Sequence, residues 1–202
     1  MKKLETEVKF FLTNRESMRL SILKLGAQSR GRFFETNLRF EDKSKSLIKH
    51  KSLLRLRKDN KTTLTFKSSL PVEQPEYKML KELEVDVSDF TTMTQILEAL
   101  GFHIEQVYEK WRETFVLGNA SFCLDTMPFG DFIEIEGEKD ELENFAVNLN
   151  LNWKRRIILN YLELFDILRD KLKLPFLDLT FENFKNVKPD VSDYLKLIEV
   201  DH

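Results

Sequence analysis

Acids and bases recur at spacings of two along this chain, and together they carry the chemistry needed to hold a polyphosphate and a hard cation. Glu5, Glu7 and Lys9 fall at i, i+2 and i+4 near the amino terminus. Similar elements follow: Arg55 and Arg57, Lys67, Glu82 and Glu84, Lys110 and Arg112, Asp125, and Glu134 and Glu136. Glu5, Glu7, Asp125, Glu134 and Glu136 offer oxygen ligands suited to Mg2+ or Mn2+ rather than zinc. Lys9, Arg55, Arg57, Lys67, Lys110 and Arg112 offer point charges and bidentate forks that fit phosphate oxygens. A polyphosphate with a bound divalent cation satisfies both sets at once. The chain has no glycine loop of the GxxxxGK[ST] or GxGxxG kind, so phosphate binding does not come from the common nucleotide folds.

Other chemistries find little support. His50, His103 and His202 sit in no metal or triad spacing and read as solvent or packing residues. Cys123 is the only cysteine, which excludes a disulfide framework and a cysteine-rich zinc site. Within Phe122-Cys123-Leu124 it reads as a strand core residue rather than a nucleophile. Lys and Arg number 32 against 34 Asp and Glu, a formal net charge of −2, and this balance argues against a nucleic-acid partner. Lys2 and Lys3 are followed by no apolar leader segment and no run approaches a membrane span, so a soluble cytoplasmic protein without a membrane partner is expected.

The spacing of the charges specifies the elements that must carry them. In a helix Glu5, Glu7 and Lys9 would spread around the cylinder, whereas in a strand they share one face, with Leu4, Thr6, Val8 and Phe10 opposite. The alternation predicts strands over residues 3–12, 33–42, 51–59, 62–69, 77–87, 104–117, 120–126 and 131–138. Asp59-Asn60 and Gly118-Asn119 mark hairpin turns. Helices are predicted after Thr13, with Glu16 completing a capping box, over 91–100, over 141–149, and from near Ile157 to Pro175. The fold class that follows is α+β: an eight-stranded antiparallel sheet closed into a barrel, helices outside, and a charged lumen.

That lumen inverts the usual apolar filling of a small barrel, and enclosed charges are costly unless they pair with one another or with a ligand. The competing arrangement is an open sheet with its charged face in solvent. Two features favour the lumen. The faces with Leu4, Val8, Leu54, Leu56, Phe66, Leu83, Val85, Ile133 and Ile135 need helices to cover them, and the charges sort by strand, with the first and last strands acidic and those at 54–57, 65–67 and 110–112 basic. At 202 residues, 42% hydrophobic with 17 Phe, the chain supports one domain over 1–172 plus an appendage over 173–202. Leu174-Pro175-Phe176-Leu177 is too apolar for a free tail and is expected to pack on the barrel or a partner. Asp190 could cap a last helix carrying Val191, Tyr194, Leu195 and Ile198.

Glu5-x-Glu7-x-Lys9 resembles the ExExK signature of the CYTH superfamily, the triphosphate tunnel metalloenzymes. The later elements agree in order: Leu54-Arg55-Leu56-Arg57, Thr65-x-Lys67, Glu82-x-Glu84, Lys110-x-Arg112, Leu124-Asp125 and Glu134-x-Glu136-Gly137. The run from Leu124 to Gly137, with Tyr161-Leu162-Glu163-Leu164 after it, looks most like the class IV adenylyl cyclase branch, and thiamine-triphosphatase-like members share much of it. The resemblance covers residues 2–170 and implies an eight-stranded tunnel. It also implies metal carboxylates at Glu5, Glu7, Asp125, Glu134 and Glu136, phosphate bases at Lys9, Arg55, Arg57, Lys67, Lys110 and Arg112, and further tunnel acids at Glu82 and Glu84. Lys9, Arg57, Glu134 and Glu136 are the catalytic candidates. A basic residue near the late helix usually closes one end, and Lys154, Arg155 and Arg156 are near. Arg39 stands where branch members carry an aromatic, adding either a phosphate ligand or a surface charge.

Three functions follow in order. The first is Mg2+- or Mn2+-dependent hydrolysis of tripolyphosphate or an organic triphosphate such as ATP or thiamine triphosphate. The second is cyclisation of ATP to cyclic AMP and pyrophosphate, and the third is a catalytically silent polyphosphate-binding module. Either a monomer or a homodimer is compatible with the sequence.

Overall fold

The computed structural model describes residues 3–69, 78–187 and 194, and leaves the side chains of 3–5, 69 and 78–80 undescribed. Eight strands form: β1 (Lys3–Leu12), β2 (Gln28–Asp42), β3 (Ser52–Lys58), β4 (Thr62–Ser69), β5 (Lys78–Val87), β6 (Phe102–Leu117), β7 (Ala120–Met127) and β8 (Gly130–Glu136). Every pairing is antiparallel, and the order β1-β5-β4-β3-β2-β6-β7-β8 returns to β1 through Val8↔Ile135 and Lys9↔Glu134, which closes the barrel. Closure removes the edges that a sheet this size would otherwise expose.

β2 begins five residues before the alternation predicts. Gln28 and Ser29 already pair with Val116 and Phe115, and a register shift between Ser29 and Arg32 then interrupts the ladder at Gly31, whose φ of 100° belongs to glycine. The bulge hides this stretch from a period-two reading.

Five helices lie outside or across the ends: α1 (Arg15–Lys24), α2 (Ser46–Lys49), α3 (Phe90–Ala99), α4 (Lys139–Asn148) and α5 (Tyr161–Leu172). α1 is capped by Asn14, whose side chain accepts from the Ser17 amide, rather than by Thr13. α5 starts at Tyr161 rather than near Ile157. Ile157 exchanges backbone hydrogen bonds with Lys9, and Asn160 with Glu163 forms the capping box.

The outer barrel surface is buried in two places. Val8, Phe10, Ile133 and Ile135 pack with Ile22 of α1 and Leu142 and Ala146 of α4, while Leu38, Phe40 and Leu56 pack with Leu97 of α3. Leu83 and Val85 correct the expectation of complete cover, because both are more than half exposed on β5, at 52% and 55%. A third core joins α5 to Phe132, Met127 and Tyr108 and takes in Leu179 and Phe184 from the segment after α5. Leu179 bridges Tyr108 in parallel, where β6 runs beyond its ladder with β7, so residues 178–181 line that free stretch of strand. The helix expected from Asp190 to Ile198 falls outside the described residues apart from Tyr194. No helix among the described residues is long and apolar enough to cross a membrane.

Candidate active site

Inside the barrel lies a cavity of about 1080 Å3, just above the ~300–1,000 Å3 typical of ligand pockets. Period two delivers its lining. Glu7 and Lys9 reach it from β1, Glu35 and Arg39 from β2, Arg55 and Arg57 from β3, Lys67 from β4, and Glu82 and Glu84 from β5. Lys110 and Arg112 of β6, Cys123 of β7, and Glu134 and Glu136 of β8 complete the ring. The structure thus brings the six candidate bases and five of the candidate acids to one lumen. Asp125 is buried behind it, and the side chain of Glu5 lies outside the described residues.

Three carboxylates converge. One oxygen each from Glu7, Glu134 and Glu136 lies within 4.8 Å of the others, a set of hard donors that fits a divalent cation with oxygen-rich coordination. Asp125 stands apart from this trio. Fully buried, it accepts from Lys110 Nζ at 2.9 Å, Arg112 Nε at 2.7 Å and Nη2 at 2.5 Å, and the Tyr161 hydroxyl at 2.8 Å. Its oxygens serve to fix two bases in place.

Glu134 links the two groups, pairing with Lys9 Nζ at 2.8 Å and with Arg112. Burial alone would raise its carboxyl, but Lys9, Arg112 and Lys110 together hold it well below the usual range. Lys110 is pushed down by burial and by Arg112, yet Asp125, Glu35 and Glu134 outweigh them and keep it charged.

Four residues of this network escaped the sequence reading. Glu35 is buried, 3.6 Å from Lys110. Against the effect of burial, Lys110, Arg112, Arg57 and Arg55 bring its carboxyl down to about 2. The signal was present in β2, where Glu35, Asn37 and Arg39 alternate with Phe34, Leu38 and Phe40. Tyr161 enters from the first turn of α5, its ring 4.3 Å from Lys9 Nζ and 5.1 Å from Lys110 Nζ. Burial, then Asp125 and Glu134, push its phenol well above the ordinary value. Tyr108 donates no charge but faces Arg55 at 3.4 Å, and Asp59 meets Arg57 at 3.2 Å.

The remaining charges pair across β3, β4 and β5. Lys67 meets Glu82 at 3.4 Å, and Arg57 meets Glu84 at 3.5 Å. Arg39 lines the cavity and is therefore no mere surface charge. Lys154, Arg155 and Arg156 do not line it. Arg156 is buried, its guanidinium 5.0 Å over the Trp153 ring, and the lining from that region comes from Asn160 to Glu163 and Asp166. Cys123 is buried but faces the lumen, not an apolar core, and burial pushes its thiol up. His50 and His103 are exposed and outside the site, while His202 lies beyond the described residues.

A closed antiparallel barrel whose lumen carries carboxylates and bases defines a class of tunnel-shaped domains. The chain belongs to the CYTH family, whose domain matches residues 3–160. Among solved structures it is similar to the PH1012 protein of Pyrococcus horikoshii OT3, with 30% identity, a TM-score of 0.67, and 78% of this chain and 96% of that one covered. It also resembles a candidate adenylate cyclase from Vibrio parahaemolyticus, at 16% identity and TM-score 0.70, covering 82% and 99% of the two chains. A third likeness is to HpAC1 of Hippeastrum, a candidate adenylyl cyclase described as having a dominant triphosphatase activity. There identity is 18%, TM-score 0.59 and coverage 83% and 96%. No curated protein matches the chain.

Proposed function

We propose that this CYTH-family enzyme hydrolyses a triphosphate, tripolyphosphate or an organic triphosphate, inside the barrel with the help of Mg2+ or Mn2+. The observation that carries the reading is the convergence of Glu7, Glu134 and Glu136 beside Lys9 and Arg112 in one cavity. An anion-binding module gains nothing from three gathered carboxylates. Those three would hold the cation, which when bound supplies Lewis-acid neutralisation of phosphate oxygens.

The protein's own groups supply the rest. Arg55, Lys67, Lys110 and Arg112 grip the phosphate chain and balance the charge that builds on the transferred phosphoryl group. Asp125 and Tyr161 hold Lys110 and Arg112 in position before substrate arrives, so little reorganisation is needed during the reaction. Water forms the new bond to the terminal phosphorus as the anhydride P–O bond breaks, giving orthophosphate and, from tripolyphosphate, pyrophosphate.

A cyclase reading is kept because similar folds carry that name, and the described triphosphatase activity of the Hippeastrum protein favours hydrolysis between the two. Parallel assays with tripolyphosphate and ATP, with Mg2+ and then Mn2+, test the choice. Metal-dependent phosphate release from tripolyphosphate is expected. Cyclic AMP as the dominant product would replace hydrolysis by cyclisation, and tight tripolyphosphate binding with no turnover would leave only a binder.

A further inference from the structure

The bases of the lumen are not equally engaged. Lys9, Lys110 and Arg112 each contact carboxylates, whereas Arg39 makes no hydrogen bond or ion pair among the described residues, and Arg55 meets only the hydroxyls of Tyr108 and Thr65. Arg39 and Arg55 are direct register partners across β2 and β3, and both line the cavity. Like charges facing each other across a ladder are destabilising unless something lies between them.

A second observation falls in the same place. Asn37, the next residue on that face of β2, is 0% exposed, and neither its amide oxygen nor its nitrogen has a hydrogen-bond partner. Arg55 Nε is buried and unmatched too. Buried amides and guanidinium nitrogens are nearly always hydrogen-bonded, so a concentration of spare polar groups on one wall is what an unfilled polar site looks like. Ile48 of α2 and Asp166 of α5 line the same cavity as Arg39. The Arg39 charge acts on Asp166, lowering a carboxyl that burial raises.

We propose that Arg39, with Arg55 opposite and Asn37 beside it, forms an additional phosphate subsite, and that Arg39 thereby makes the tunnel select a chain that is anionic to its end. Inorganic polyphosphate fits this subsite. A nucleoside triphosphate must place an uncharged sugar and base there, leaving the Arg39 guanidinium without its anion. The proposal rests on the triphosphate reading above and deepens it to a substrate class.

Calorimetric titration without divalent cation, at fixed ionic strength, with tripolyphosphate and with ATP, tests it on the parent and Arg39→Gln. The parent should prefer tripolyphosphate, and Arg39→Gln should lose about tenfold in tripolyphosphate affinity, the worth of one charge-assisted contact, with less than about twofold change for ATP. Arg39→Lys, which keeps the charge but not the fork, should fall between. Equal losses for both ligands would reduce Arg39 to a distant charge, and no loss for either would remove it from the site. Both results overturn the proposal while leaving the triphosphate reading standing. A parent that binds neither ligand would also overturn the proposal, and the metal-dependent assay above then decides the triphosphate reading separately. The melting temperature of Arg39→Gln should hold or rise, because an unpaired charge is removed, which keeps misfolding from mimicking the expected result.

Discussion

Two walls of one lumen solve the problem of enclosed charge in opposite ways. On the wall made by β1, β6, β7 and β8, the bases Lys9, Lys110 and Arg112 are matched to Glu134 and Asp125, with Tyr161 closing the network. On the wall made by β2 and β3, Arg39 and Arg55 face each other without a carboxylate contact, and the side-chain amide of Asn37 has no hydrogen-bond partner. The first wall pairs its charges without a ligand and presents bases already oriented. The second carries the unsatisfied polar groups, so it is where an entering anion gains most. The two walls divide the labour: one holds its bases in position beforehand, the other keeps polar groups spare for the anion.

The comparison breaks first at Asp125. Asp125→Asn would leave Lys110 and Arg112 buried with a partner lost, and should cost about 3–5 kcal/mol of stability by chemical denaturation. A loss under about 1 kcal/mol would mean that the network is not what holds this wall. Next in size is Glu136→Gln, which should lower metal-dependent phosphate release by about 100-fold or more, near 2.7 kcal/mol in the barrier, with the melting temperature nearly unchanged. Full activity in Glu136→Gln would remove it from the cation's ligands.

Glu35 sharpens the boundary between the walls. Its carboxyl is depressed from 4.5 to about 2 in the folded chain, so its contribution is complete above pH 4.5 and is lost as pH falls through about 2. Denaturation of the parent and Glu35→Gln between pH 5 and pH 2 should show a stability gap that closes on acidification. A gap independent of pH would mean that Glu35 does not act through its charge.

The barrel was legible because period two survives in most strands. β3, β4 and β7 were found within a residue at each end, and the lumen face followed from the same alternation. Reading stopped where one residue breaks the period, as at Gly31, or where a partner is distant in sequence. Tyr161 and Asp125 are 36 residues apart and meet only once α5 crosses the barrel end. The Asn160–Glu163 capping box could have placed the start of α5 correctly, and with it Tyr161. The residue type of Asp125 and the family resemblance both suit it to a metal. Its displacement from the trio depends on Lys110, Arg112 and Tyr161 reaching it first, which no spacing encodes.

The division between walls is tested most directly by Arg55→Ala, followed in one preparation by tripolyphosphate calorimetry and by chemical denaturation. Arg55 touches only hydroxyls, so its removal should weaken binding by about 2 kcal/mol, near 30-fold, while the ligand-free protein stays as stable as the parent or becomes more so. Unchanged affinity, or a stability loss of several kcal/mol with affinity retained, would contradict a wall kept open for an anion.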